Sequence, residues 1–250
     1  EFIASVASSS VRGLFFWEKQ NQLFVAVSDD IYIYNATTGA LTTTLSTAFS
    51  TTTGHVGFTE FLYDDGSVKV VATDGTTLQT IDSAGTRVAG ADVDMPVHLP
   101  YPVFLDGYLF ILAANTADLY NSELNDPLAY TAGDFITAEM LPDQASWVSR
   151  INNYLIVAGN QSIEYFWDAA VATGSPLQRN DTPIKLSGLL GGMASIGNKV
   201  FLIGSHNESQ PDVFMLEDFK MVPLGTEAIR RHLSTITVSG VTSIQASIVS

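Results

Sequence analysis

Ile151-Asn152-Asn153-Tyr154-Leu155-Ile156-Val157-Ala158-Gly159-Asn160 reads as one short apolar strand held between two polar corners, and the chain repeats that design. Its strand residues are aromatic or β-branched, and Asn152 and Asn160 supply turn chemistry at either end. Leu23-Phe24-Val25-Ala26-Val27, Val68-Lys69-Val70-Val71, Tyr108-Leu109-Phe110-Ile111-Leu112 and Val200-Phe201-Leu202-Ile203 have the same character, as does Ile31-Tyr32-Ile33-Tyr34. The corners before these strands hold Asn21, Asp65, Asp106, Asn152 and Gly197, separated by 44, 41, 46 and 45 residues. The corners after them hold Asp29, Asp74, Asn115, Asn160 and Asn207, separated by 45, 41, 45 and 47. Two independent series give one period.

A repeat of about 40 to 50 residues with several antiparallel strands is the pattern of propeller blades, whose faces are buried by stacking on neighbouring blades. The expected fold is all-β, a β-propeller of four-stranded antiparallel blades, about five in this chain. Residues 1–233 make up the propeller, with blades at roughly 1–50, 51–92, 93–140, 141–186 and 187–233. Residues 234–250 alternate apolar and polar side chains (Ile236, Val238, Val241, Ile244) and read as the start of a further strand unit. Thr137 to Leu141 and Glu227 to Leu233 each suit one or two helical turns. Spacing alone leaves a β-sandwich open as the competing architecture.

Composition narrows the class. At 250 residues and 46% hydrophobic, the chain can bury a substantial core without help. It contains no cysteine, which excludes disulfides and thiolate zinc sites. Its longest apolar runs are strand-sized, well short of the roughly 18 residues of a membrane helix, so no membrane-spanning segment is expected. The opening Glu1-Phe2-Ile3-Ala4-Ser5 has neither an initiator Met nor a signal-peptide pattern, which suggests a fragment of a longer gene product. Eleven basic residues stand against 26 acidic ones, a formal net charge of −15 that should repel nucleic acid.

No catalytic pattern is evident. Met193-Ala194-Ser195-Ile196-Gly197 lacks the first glycine of a nucleophile elbow and leads into a strand where a helix should follow. Gly188-Leu189-Leu190-Gly191-Gly192 lacks the Lys-Ser/Thr of a phosphate loop and suits close backbone packing at an inner strand. His55, His98, His206 and His232 are scattered without metal-ligand spacing and read as turn or surface residues. Asp64-Asp65-Gly66 and Asp92-Val93-Asp94 are turn sequences that do not continue into a calcium loop. Asp29, Asp65, Asp74 and Asp106 recur once per blade, but at turns, where turn formation explains them without a glycosidase. Trp147, Tyr165, Phe166 and Trp167 form the densest aromatic group, which suits a blade core before a sugar platform. No metal, cofactor or catalytic residue is expected, and the chain reads as a non-enzyme.

The run Ile151 to Trp167, with Asn160-Gln161-Ser162-Ile163-Glu164-Tyr165-Phe166-Trp167 completing it, resembles the most recognisable blade of the packaged-DNA stabilisation (tail hub or nozzle) proteins of short-tailed, podovirus-type phages. Tyr120-Asn121-Ser122 and Asp126-Pro127-Leu128-Ala129-Tyr130 precede it in the family's order. Ser175-Pro176-Leu177-Gln178-Arg179, Val200 to Ser205 and Pro223-Leu224-Gly225-Thr226-Glu227-Ala228-Ile229 follow it. Gly13-Leu14-Phe15-Phe16-Trp17 and Asp29 to Asn35 extend the likeness, which covers roughly Arg12 to Leu233. Its family-like marks are Asp126, Pro127, Asn153, Gly159, Glu164, Trp167, Gln178 and Arg179, structural residues to which the resemblance assigns no chemistry.

The resemblance implies a virion protein of the phage tail, assembled in the host bacterial cytoplasm. It implies a homo-oligomer, a six-copy ring beneath the portal and its adaptor, in contact with other tail proteins. Packaged double-stranded DNA would be retained by this conduit and pass through it at ejection without sequence-specific binding. The low count of Lys and Arg suits such a sleeve, because phosphate neutralisation is what makes DNA adhere. The alternative is a carbohydrate-binding propeller, a lectin or tail adhesin. It predicts the same ligand residues in every blade, yet Trp17, Trp147 and Trp167 do not recur at the blade period.

Overall fold

The computed structural model describes residues 10–141, 143–181, 184–185, 188–196, 198–205, 211–217 and 219–235. These form five antiparallel sheets, the blades of a β-propeller, each drawn from one contiguous stretch of chain with its strands side by side in sequence order. The first blade is β1 (Val11–Trp17), β2 (Gln22–Val27), β3 (Asp30–Asn35) and β4 (Leu41–Leu45). The second is β5 (Gly57–Leu62), β6 (Val68–Thr73), β7 (Leu78–Ile81) and β8 (Arg87–Ala89). The third is β9 (Val103–Leu105), β10 (Tyr108–Leu112), β11 (Asp118–Glu123) and β12 (Asp126–Thr137). The fourth is β13 (Ala145–Ile151), β14 (Tyr154–Gly159), β15 (Ser162–Asp168) and β16 (Leu177–Arg179), with β17 (Ile184–Lys185) also paired to β15. The fifth is β18 (Gly188–Ile196), β19 (Lys199–Ser205), β20 (Asp212–Glu217) and β21 (Lys220–Pro223), followed by α1 (Glu227–Thr235). Five separate antiparallel ladders are not the two facing layers of a sandwich.

The corners form as their residues dictate. Asn21, Asp106, Asn115 and Asn152 take left-handed backbone conformations with φ of 52°, 48°, 63° and 52°. Asn and Asp tolerate that region because their short polar side chains bond locally. Asp65 and Asp74 stand before Gly66 and Gly75, which carry the positive φ there, and accept amide hydrogen bonds from Ser67 and from Thr76 and Thr77. The corners at Gly197 and Asn207 lie outside the described residues.

The chain divides into two compact units: Glu1–Ile111 with Asn121–Asp134, and Leu112–Tyr120 with Phe135–Ser250. In the first unit, Trp17, Phe24, Ala26, Ile31 and Ile33 of one blade pack against Val70, Ala72 and Ile81 of the next. Phe15 stacks on Phe58 at 6.0 Å between ring centres. In the second, Ile156, Ala158, Ile163 and Tyr165 meet Met193, Val200, Leu202, Phe214 and Leu216. Each such Leu, Ile or Phe contributes about 1.5–3 kcal/mol by leaving water. First strands of consecutive blades run against each other, β1 by β5 and β5 by β9 in one unit, β13 by β18 in the other. They come close enough that Cβ atoms at Gly13 and Gly57 would fall 2.2 Å and 2.0 Å from the carbonyl oxygens of Val56 and Pro100.

Two expectations need correction. Thr137 to Leu141 is not helical: Thr137 ends β12, the Ala138 amide donates to the Ala117 carbonyl, and the Met140 amide donates to Glu164. Those distant partners take the amide hydrogens a helical turn would use. The expected helix over Glu227 to Leu233 does form, and it runs on to Thr235, so Ser234 and Thr235 are helical. The strand reading of 236–250 falls outside the described residues.

Candidate functional site

Four of the family-like residues meet on β15 and its neighbour β16. Antiparallel register sets Trp167 opposite Gln178 and Phe166 opposite Arg179. β15 begins with five consecutive buried residues, Ser162 to Phe166, and Glu164 is the carboxylate among them, with its side chain 1% exposed. An isolated carboxylate cannot remain ionised in such a place at modest cost, so it must be paired. The Arg179 Nε lies 2.9 Å from Glu164 Oε2, an ion pair whose N–H is not aimed straight at the oxygen. Glu164 Oε1 accepts the Met140 amide at 2.9 Å. Arg179 donates to the Thr137 carbonyl and lies over the Phe166 ring at 5.8 Å. Burial pushes the Glu164 carboxyl above its usual range, and the Met140 amide and Arg179 draw it part of the way back. The cluster therefore clamps the strand connection at 137–140 onto β15 and β16.

Gly159 serves the same blade at its other end. Asp143 accepts amide hydrogen bonds from Gln161 and Ser162, with Oδ2 at 2.6 Å and 3.2 Å, and the Ser162 hydroxyl donates to its Oδ1. A Cβ on Gly159 would sit 2.3 Å from Asp143 Oδ2, so only glycine lets this carboxylate reach the β14–β15 turn. Asn153 is exposed in the β13–β14 turn, and Trp167 is 40% exposed at the blade margin. Asp126 and Pro127 open β12 in the first compact unit, where Asp126 Oδ1 accepts the Leu128 amide and Pro127 is buried.

The profile of the family described as "Bacteriophage P22 Gp10, beta-propeller" matches residues 3–250. The chain belongs to this family. It is thus a phage structural protein of the virion, and its propeller fold is the one the family description names. Comparison with curated protein sequences yields no match. Among solved structures the chain is similar to streptogramin B lyase, with 12% identity over 92% of this chain and 74% of that one, at a TM-score of 0.58. It is also similar to virginiamycin B lyase from Staphylococcus aureus, with 11% identity, 91% and 74% coverage and a TM-score of 0.57. BBS1N, solved in complex with ARL6DN, gives 16% identity, 86% and 66% coverage and a TM-score of 0.56. The chain spans just under two thirds of the BBS1N chain. At these identities the likeness concerns the fold alone.

In this Gp10-family propeller the remaining chemistry-bearing residues serve backbone groups. Asp92 accepts amides from Asp94 and Tyr130, and Asp65 that of Ser67. Ser195 is exposed within β18, and Gly191 and Gly192 sit where that first strand shifts register against β19. His98 departs from the expected surface role: it is 3% exposed, with Nε2 2.7 Å from Thr73 Oγ1 and Nδ1 2.9 Å from the Pro96 carbonyl. The Gly75 amide also donates to Thr73 Oγ1, so His98 ties the segment before the third blade to the β6–β7 turn. The His55 ring lies tilted against that of Tyr101 at 5.3 Å between centres, His232 is exposed on α1, and His206 lies outside the described residues. Trp147 packs on the core of the second unit, Tyr165 is buried in that core, and Phe166 is fully buried as well. Among the described residues no group of three His, Asp or Glu could hold a metal, and no helix is long and apolar enough to cross a membrane.

Sequence reading missed three polar ties, two of them through buried side chains, Arg12 and Asp212. Arg12, on β1, donates to the carbonyls of Ser28, Thr51, Thr53 and Gly54 and to Thr51 Oγ1. Thr51 in turn donates its hydroxyl at 2.6 Å and its amide at 3.0 Å to Asp74, whose carboxyl falls to about 2 because those and the Thr76 and Thr77 hydrogen bonds outweigh burial. Asp143 is the second tie. The third is Asp212, buried at the start of β20 and 2.9 Å from Arg230 of α1, with Gly225 leaving room for it. The available signal was weak: isolated charges next to strand ends, with partners 16 to 42 residues away.

Proposed function

We propose that this chain is a structural part of a short-tailed phage tail, the nozzle or hub. In this reading six copies form a ring beneath the portal and its adaptor, joined to other tail proteins. The ring is a conduit that retains the packaged double-stranded DNA and passes it at ejection. The observation that carries the proposal is membership of the P22 Gp10 family along residues 3–250.

Charge supports the reading. A duplex that must slide needs walls that do not neutralise phosphates, and a net charge of −15 opposes the counterion release that drives DNA adhesion. Exposed carboxylates at Glu18, Asp64, Asp65, Asp106, Glu123 and Asp126 supply that repulsion on blade corners and margins. The role asks for no catalysis. Buried Arg12, His98, Glu164 and Asp212 are engaged in holding strands and connections together.

Electron microscopy of purified virions tests the proposal directly, with six-fold density on the tail axis that fits this propeller as the expected result. Particles assembled without the gene product should fill with DNA and then lose it. Retained DNA in such particles, density off the axis, or a monomer that binds a glycan array would each overturn the conduit reading.

A further inference from the structure

Basic residues are scarce and scattered in this chain, with one exception. Of the eleven Lys and Arg, only Arg230 and Arg231 are adjacent in sequence, and both lie on α1. The helix is fastened by one side: Arg230 pairs with Asp212 at 2.9 Å and Leu233 is buried, while Ala228, Ile229, Arg231 and His232 are exposed. Residues three and four apart share a helix face, so Ala228, Arg231 and His232 stand together with Ile229 beside them. Among the described residues Arg231 has no ion-pair partner. Ile229 is 41% exposed next to it. This face therefore offers a cation and an apolar side chain in a protein whose formal net charge is −15.

A matching surface lies elsewhere in the chain. Between β8 and β9 runs Asp92-Val93-Asp94, in which Val93 is 95% exposed and Asp94 is exposed beside it. Hydrogen bonds fix the loop around Val93. Asp92 accepts the Asp94 amide at 2.9 Å through Oδ1 and the Tyr130 amide at 3.1 Å through Oδ2. The Gly90 amide donates to the Leu78 carbonyl ahead of it, and His98, bonded to Thr73, pins the chain after it. Val93 is thus an apolar knob, held in place, with a carboxylate on either side. Single exposed apolar residues are ordinary. A rigid one differs, because the entropy of ordering the loop is already lost on folding and does not weaken binding.

The two surfaces complement each other in charge and in apolar content. A contact between different patches of identical chains is heterologous, and it builds a ring when its rotation closes. Duplex DNA suits the helix less well. Its phosphates would find one uncommitted arginine, with Glu227 on the same helix, too few cations for the counterion release that holds DNA, and nothing on the phosphate backbone would cover Ile229.

We propose that the loop at 92–94 of one copy docks on the exposed face of α1 of the next copy, Val93 against Ile229 and Asp94 against Arg231. This rests on the reading of the chain as a ring-forming subunit and assigns the surfaces that join one copy to the next. Because the chain has no cysteine, engineered thiols report the contact without background. Val93→Cys and Ile229→Cys variants of the whole chain are mixed and oxidised, so that every disulfide between positions 93 and 229 joins two copies. Mass spectrometry is expected to find these in excess over 93–93 and 229–229 pairs. Arg231→Glu in the Ile229→Cys copy should lower them by about tenfold or more, because like charges then face each other. Asp94→Lys in the Val93→Cys copy should restore them, a rescue that a misfolded variant could not give. Failure of that rescue overturns the pairing. Predominant 93–93 or 229–229 disulfides, or a ring that forms with no 93–229 disulfide, also overturn it and leave the conduit reading standing. A chain that stays monomeric and uncross-linked at every concentration overturns both. Duplex DNA retained by the unmodified chain and released by Arg231→Glu would assign the helix to nucleic acid instead.

Discussion

The fourth and fifth blades are built on similar apolar second strands. Tyr154-Leu155-Ile156-Val157-Ala158-Gly159 and Lys199-Val200-Phe201-Leu202-Ile203-Gly204-Ser205 are equally apolar, and both pair with a first and a third strand. In β14 everything after Tyr154 is buried, whereas in β19 every second residue is only half-buried. A ladder of hydrogen bonds covers strand edges and leaves both faces to be covered by other layers. Burial of a blade is thus a property of its neighbours, and apolar content states how many neighbours a strand suits.

The charged pairs repeat the contrast. In the fourth blade Glu164 is buried and its Arg179 partner is one quarter exposed, whereas Lys199 and Glu217 in the fifth are 40% and 39% exposed. Arg179→Ala should therefore have the largest effect, a loss of about 3 kcal/mol in urea unfolding, because it strands a buried carboxylate. A loss below about 1 kcal/mol would show that Glu164 is not the clamp of its blade. Next comes Gly159→Ala, whose new Cβ must displace Asp143 from the amides of Gln161 and Ser162. A cost of about 1–3 kcal/mol is expected, from those amides left unsatisfied. An equal cost in the Asp143→Ala background would place the strain elsewhere.

The pH dependence separates raised from lowered carboxyls. Glu164 has a folded value above its unfolded one, so its contribution is present below the unfolded value and is lost as pH rises through the folded value. Asp74, lowered to about 2, stabilises above the ordinary Asp value near 3.8, and that contribution is lost as pH falls through about 2. Melting temperatures of Glu164→Gln should lose the decline on the rising side of pH 4.5, the ordinary Glu value. Those of Asp74→Asn should lose the acid-side decline. Parallel profiles for the two variants would refute the assignment. The smallest expected effect is that of Lys199→Ala, below about 1 kcal/mol, since exposed pairs are screened and entropically costly. A larger loss would mean that the margin of the fifth blade is covered more fully than β19 suggests.

The corners were the most legible part of the sequence. Asn21, Asp106 and Asn152 announced turns, and the β-branched and aromatic runs between corners announced strands, because both signals are local. The ties were not legible. Arg12 binds residues 51 to 54, Glu164 binds the Met140 amide, and His98 binds Thr73, and nothing next to any of them in sequence names the partner. Thr137 to Leu141 misled for the same reason: its residues permit a helical turn, but distant carbonyl and carboxylate acceptors took its amides.

Sequence by itself determined the repeat, the all-β class and the acidity, since turn preference, strand preference and formal charge belong to residues and their neighbours in the chain. Only the tertiary structure decided which apolar faces are covered, which carboxylate is paired and which histidine is buried. Those properties depend on how much water distant segments remove from a given atom, and that is fixed only when the blades are stacked.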